Sequence, residues 1–220
     1  MGPLGKVVGM GHVSDPRFLT LHGLRLKGFA EAEAVSRIVG IDEEEAGRHL
    51  KQLGADDLVL RREGRISGWS LTPAGRETHA VLLVEDLEAA GARDTVEEAY
   101  RRFLAVNSEL LAVCTAWQLR DVGGQQQVND HSDAAYDRGV VDRLVGVHDH
   151  VRPVTADLRD AMTRFAGYGT RLREAVERVA GGEHEWFTKP MIDSYHTVWF
   201  ELHEDLLVTL GIERSTEGGA

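Results

Sequence analysis

Between residues 58 and 71 two β-rich runs flank Glu63-Gly64-Arg65, and Thr72-Pro73 follows at once as a helix start. This hairpin pattern constrains the fold most, because the apolar residues on either side of it fall at helical spacing. Upstream, Phe18, Leu21, Leu24 and Leu26 predict a helix over residues 17–27. Asp15 is placed to cap it, Pro16 to open it and Gly28 to stop it. Ala34, Val35 and Ile38 predict a second, short helix over residues 31–39. Gly40 suits the left-handed exit and Ile41 plugs the turn. Asp42 then caps a third helix, with Glu45 three residues on as an approximate capping box. Its inner stripe is Ala46, His49, Leu50 and Leu53.

Helix, helix, turn, helix, two-stranded wing, helix is the order of a winged helix-turn-helix module. In that arrangement the third helix enters the major groove and the wing reaches the backbone. The outward residues expected on the helix are Glu43, Glu44, Gly47, Arg48, Lys51 and Gln52. The wing offers Arg61, Arg62 and Arg65, and Arg17, Arg25 and Arg37 are further candidates for phosphate contact. The run Asp42-Glu43-Glu44-Glu45 runs against this, since four carboxylates would face phosphates. Acids at a helix N-terminus also complement its dipole and cap free amides, at about 0.3–1 kcal/mol each, which accounts for them without DNA.

From Pro73 onward only helices are expected: to about residue 90, then 95–118, 132–150, 155–180 and 188–210. Residues 119–131 read as a Gly/Gln-rich loop, and Gly167 and Gly169 as a kink. Stripes such as Ile192, Tyr195, Trp199, Leu202 and Leu206 bury against one another in a bundle. The fold class expected is therefore mainly α (α+β), a winged helix-turn-helix followed by an all-helical bundle. The segments are a loose N-terminus (1–14), the winged helix (15–78), the bundle (79–212) and a loose C-terminus (213–220).

Charge separates the two parts. Residues 1–76 carry 11 Lys and Arg against 10 Asp and Glu, whereas residues 77–220 carry 14 against 26. A nucleic acid is tolerated by the first part and repelled by the second. No apolar run approaches the roughly 20 residues needed to span a bilayer, and the first ten residues lack a signal-peptide core, so a cytoplasmic protein without membrane contact is expected. The single cysteine, Cys114, excludes an internal disulfide and reads as core packing.

The segments Leu21-His-Gly-Leu-Arg-Leu-Lys-Gly-Phe29 and Trp69-Ser-Leu-Thr-Pro-Ala-Gly-Arg76, with the helix pair between residues 34 and 58, resemble the winged-helix part of MarR-like bacterial regulators. The resemblance covers about a third of the chain. It implies a homodimer that binds palindromic double-stranded DNA and releases it on binding a small molecule. Asn129-Asp-His-Ser-Asp133 and Tyr195-His-Thr-Val-Trp-Phe-Glu-Leu-His-Glu-Asp-Leu207 are similar to a helical segment of actinobacterial pyruvate phosphate dikinase-like proteins. That implies a module accompanying an enzyme of phosphoenolpyruvate metabolism.

Within the helical part, Trp117, Arg120, Tyr195, His196 and Trp199 are candidates to line a cleft. Arg120 is suited to an anionic effector because its fork pairs with a carboxylate or phosphate. His131 and His203 extend this candidate ligand set. His196 and His203 lie two turns apart on one face, as Asp133 and Asp137 lie one turn apart, but no Glu-x-x-His or His-x-x-x-His pair marks a metal site in the bundle. No nucleophile elbow, P-loop or dinucleotide fingerprint occurs, so no catalytic residue or cofactor is assigned. The first expectation is a DNA-binding transcriptional regulator whose acidic bundle dimerises or senses a small molecule. The second is an accessory or enzymatic protein that does not touch DNA and holds a pocket or metal around His131, His196 and His203.

Overall fold

The computed structural model describes residues 11–213; the remainder of the termini expected to be loose, residues 1–10 and 214–220, lies outside the described residues. The protein is mainly helical with two small two-stranded antiparallel sheets. It forms two compact units. Of the described residues, the first joins 11–96, Asp157–Gly167 and 204–213, and the second joins Glu97–Ala156 and Tyr168–His203.

The first unit opens with α1 (Pro16–Lys27), α2 (Ala32–Val39) and α3 (Glu43–Ala55). Asp15 accepts from the Phe18 N–H at 3.0 Å, and Asp42 from those of Glu44 and Glu45 at 2.9 and 3.1 Å. Each cap satisfies amides that the first helical turn leaves without partners. Leu21 and Leu24 of α1, Val35 and Ile38 of α2, and Leu50 and Leu53 of α3 meet in one buried core. Each such side chain contributes about 1.5–3 kcal/mol when removed from water.

The strands β1 (Val59–Arg62) and β2 (Gly68–Leu71) pair antiparallel, from Val59 opposite Leu71 to Arg62 opposite Gly68. Ala30 adds a bridge beside Trp69, with backbone hydrogen bonds of 3.0 and 2.8 Å. The helix α4 (Pro73–Ala90) starts directly after β2. At this junction the Thr72 hydroxyl donates to the Asp57 carbonyl at 2.8 Å, and the Leu58 carbonyl accepts from the Thr72 N–H at 3.0 Å, with the hydroxyl 3.2 Å away. Thr72 in turn accepts from the Gly75 N–H at 3.0 Å. A Cβ at Gly75 would lie 1.9 Å from the Leu58 carbonyl oxygen, so the glycine is what lets the helix seat on the hairpin base.

Beyond α4 come α5 (Arg93–Gln118), β3 (Leu119–Val122), β4 (Gln125–Val128), α6 (Ala134–Ala161), a single 3-10 turn (Thr163–Phe165), α7 (Ala166–Ala180), α8 (Glu185–Thr188) and α9 (Tyr195–Leu210). In the second unit the core gathers Phe103 and Leu110 of α5, Leu144 and Val151 of α6, Leu172 and Val176 of α7, and Tyr195 and Trp199 of α9.

Three sequence expectations are corrected here. Residues 119–128 are a hairpin and not a loop. Gly123 and Gly124 both take positive φ, 65° and 86°, as a tight two-residue turn requires. The strand signal is weak because every residue of β4 is exposed and no apolar alternation marks a buried face. Second, α6 does not end near residue 150 but runs through Pro153 to Ala161. An interior proline costs ~3 kcal/mol, yet Val151, Val154 and Leu158 continue the buried stripe across it. The break falls instead at Met162, which is extended (φ −141°, ψ 118°), and α7 runs through Gly167 and Gly169. Third, the last helix begins at Tyr195 and not near residue 188. The short α8 precedes it, and Met191 sits at φ 69° in the connection.

The Gly75→Ala variant is expected to lose roughly 1–3 kcal/mol of stability through overpacking against the Leu58 carbonyl. Thermal or urea unfolding of the two proteins measures it; an unchanged midpoint would contradict the tight junction.

Candidate functional site

Three groups of polar residues stand out from the packing. The first is the outer side of α3. Ala46, Leu50 and Leu53 are buried, so Arg48, Lys51 and Gln52 project outward and are exposed. Asp42 is turned onto the helix amides, while Glu43 and Glu44 are exposed. On the neighbouring hairpin Arg62 and Arg65 are also exposed. Among the described residues, Arg48, Lys51, Arg62 and Arg65 make no ion pair. The other candidate cations are committed. Arg61 donates to both Glu31 oxygens, at 3.0 and 3.2 Å, and to Glu63 at 3.4 Å, with its guanidinium over the Trp69 ring. Glu31 is the main reason its pKa is raised. Arg37 pairs with Glu33, Arg17 with Asp56, and Arg25 with Glu204.

The second group lies in the second unit, where the candidate ligand residues divide into two clusters. Trp117 is buried against His131, His184 and Phe187, with ring centroids 4.4, 5.2 and 5.1 Å away. His131 sits at φ 58°, and its Nδ1 is 3.1 Å from an Asp137 oxygen. The other Asp137 oxygen accepts from the Asn129 amide at 2.9 Å. Arg120 donates to Asp133 at 3.1 Å and lies over the Tyr136 ring. The Tyr136 N–H, and then Arg120, hold Asp133 below the usual carboxylate range. The other cluster is aromatic. Trp199 stacks on Phe103 at 4.6 Å and donates to Asn107 at 2.9 Å. Tyr195 stacks on Trp199, and His203 leans on Phe103. Burial pushes the Tyr195 phenol up. His196 is exposed. Among the described residues no three His, Cys, Asp or Glu side chains are grouped as metal ligands.

The third group was not singled out from the sequence. In the first unit, α1, α4, the 3-10 turn and the end of α9 bring His22, His79, Arg164 and Asp205 together, each no more than about one-twentieth exposed. Arg164 donates to Asp205 at 2.6 Å and to Thr209 at 2.7 Å. His22 Nε2 is 3.0 Å from the same Asp205 oxygen, and His22 Nδ1 is 3.0 Å from His79 Nε2. Asp86, 3.8 Å from Arg164 Nε, accepts from Ser14 at 2.9 Å and lies 2.8 Å from His12 Nε2. His22 Nε2 is also 3.0 Å from Arg164 Nη1, which can only donate, whereas the Asp205 carboxylate can only accept, so the two neighbours bias the Nε2 proton in opposite senses. Between His22 Nδ1 and His79 Nε2 one ring donates and the other accepts.

Burial would push Asp205 up, but Arg164 and then His22 overcome it and hold the carboxyl well below its ordinary range. Burial lowers His22, and burial reinforced by His22 and Arg25 pushes His79 down to about 3. The only sequence signal for this network is a polar residue lodged in each apolar stripe, such as Asp205 between Leu202 and Leu206. Arg164 carries none. No protein-family model, curated protein or solved structure matches the chain.

The depressed imidazoles set a pH dependence. A group whose folded pKa lies below its unfolded value adds stability above the unfolded value and loses it as pH falls toward the folded one. For His79 the window runs from about 6.5 down to about 3. Between pH 7 and pH 5 its contribution should fall by ~2 kcal/mol. His79→Gln keeps a hydrogen-bonding partner for His22 without titrating, so denaturant unfolding at the two pH values should show a shallower loss in the variant. Equal losses would contradict a neutral buried His79.

Proposed function

We propose that the protein is a DNA-binding transcriptional regulator in which residues 15–78 act as a winged helix-turn-helix. In this reading α3 is the recognition helix and the β1–β2 hairpin is the wing. The observation that carries it is the outer side of α3, where Arg48 and Lys51 are exposed and unpaired beside Gln52. Most other surface arginines of the unit that were candidates for phosphate contact are held by carboxylates, whereas Arg62 and Arg65 of the hairpin are not. Unpaired cations on two elements that share a core suit phosphate and base-edge contacts. Asp42 is occupied with capping, and an exposed glutamate beside it can accept from cytosine N4. The acidic remainder of the chain confines attraction to this face and makes it sensitive to salt. A homodimer would present two such faces to a palindromic site.

A second reading, an accessory protein that binds a ligand in its second unit, is favoured by a cavity of about 390 Å³ beside His131, Asp137 and His184. No helix of the described residues is long and apolar enough to cross a membrane.

The two readings separate in a titration of binding to random and palindromic duplexes against salt. The regulator reading expects affinity to fall steeply with salt, Arg48→Ala to weaken binding about tenfold, and Arg65→Ala to lower the salt slope by about one. Arg37→Ala, with Glu33 released, should change affinity less than Arg48→Ala. Absence of binding at low salt would eliminate this reading.

A further inference from the structure

The first unit contains a cavity of about 550 Å³ that shares with the groups described above only His79, Thr209 and the Arg25–Glu204 pair. It lies within the 300–1,000 Å³ range of small-molecule sites. One wall is a single stripe of α4, on which Arg76, His79, Leu83 and Val84 recur at steps of three, four and one. The facing wall is the last two turns of α9, with Leu207 and Val208, and Ile212 just beyond.

The cavity is apolar along its length and polar at selected points. Its lining carries three arginines against two glutamates, one net positive charge. Arg25 is matched by Glu204 at 3.3 Å. Arg76 makes no ion pair among the described residues, so its guanidinium is open to an incoming anion. His79 is buried and spends Nε2 on His22. Its Nδ1 has no hydrogen-bond partner among the described residues. The wall thus offers one cation and one imidazole nitrogen a turn apart, over an aliphatic floor.

We propose that this cavity binds a small organic acid with an apolar body, its carboxylate on Arg76 and a hydroxyl on His79 Nδ1. The pairing follows from chemistry. A carboxylate matches the guanidinium fork. A hydroxyl can donate to the free nitrogen of the neutral imidazole or accept from it, whichever proton position His22 imposes. The aliphatic side chains exclude water from the ring or chain of the ligand. The site goes beyond the regulator reading: it holds whether or not the chain touches DNA. It also differs from the ligand set expected from the sequence, all of which lies in the second unit.

A fluorescence titration of the full chain, without DNA, tests this. The probe is 3-hydroxy-2-naphthoate, compared with 2-naphthol, which lacks the carboxylate, and 2-naphthoate, which lacks the hydroxyl. Saturable one-site binding is expected, about tenfold weaker for 2-naphthol and several-fold weaker for 2-naphthoate. Arg76→Gln should weaken the hydroxy acid about tenfold, and Val84→Trp should abolish binding by filling the cavity. Both positions are exposed, so neither change disturbs the core, and thermal melts will confirm that the variants fold. Arg138→Gln, in the lining of the second-unit cavity, should leave the titration unchanged. The proposal is overturned if no probe saturates, if Arg76→Gln and Val84→Trp both bind like the parent, or if only Arg138→Gln loses binding.

Discussion

The hydrogen-bonded ion pair of Arg164 with Asp205, and the imidazoles stacked behind it, set the terms for the first unit. The pair is out of water, and each ion would be costly to bury alone. It is tolerated because Thr209 and His22 share the load around Asp205. Breaking such a pair by removing one partner typically costs about 3–5 kcal/mol, because the other charge is left stranded. The arrangement is also directional. The carboxylate and the guanidinium meet at the same nitrogen of His22, and whichever proton position results is passed through Nδ1 to His79. A neutral imidazole stands at the far end of this chain, with Asp205 and Arg164 behind it.

How much of this was legible from residue order depends on the range of the forces involved. The first three helices and the hairpin were legible because their signals are local: Asp15 and Asp42 as caps, Gly28 and Gly40 as stops, Glu63-Gly64-Arg65 as a turn. The errors fall where a local signal was missing or overridden. The β3–β4 hairpin has a polar sequence with no buried face, so Gly123-Gly124 was its only mark. Pro153 is a strong local stop, yet the apolar stripe through Val151 and Leu158 outweighs it.

Sites were less legible than helices. Residue type identified the cations, but only coordinates reveal which of them already have a carboxylate partner. Arg61 and Arg48 look alike in the sequence, yet Arg61 is held by Glu31 and Arg48 is not. The ligand residues expected around Trp117 and Trp199 separate into an aromatic core cluster and a polar cluster near the second hairpin. The Arg164 network was invisible for a different reason. His22 and Asp205 are 183 residues apart, and no periodicity reports which distant stripes will face each other.

The junction at Leu58, Thr72 and Gly75 has a mechanical consequence. The residue that caps α4 bonds to two successive carbonyls at the foot of the first strand, its hydroxyl to Asp57 and its N–H to Leu58, and the glycine one turn on rests against the Leu58 oxygen. Strand and helix are riveted at that point. Any tilt of α4 must therefore carry the base of the hairpin with it, as a rudder follows its post, and compliance is left to the exposed tip around Gly64.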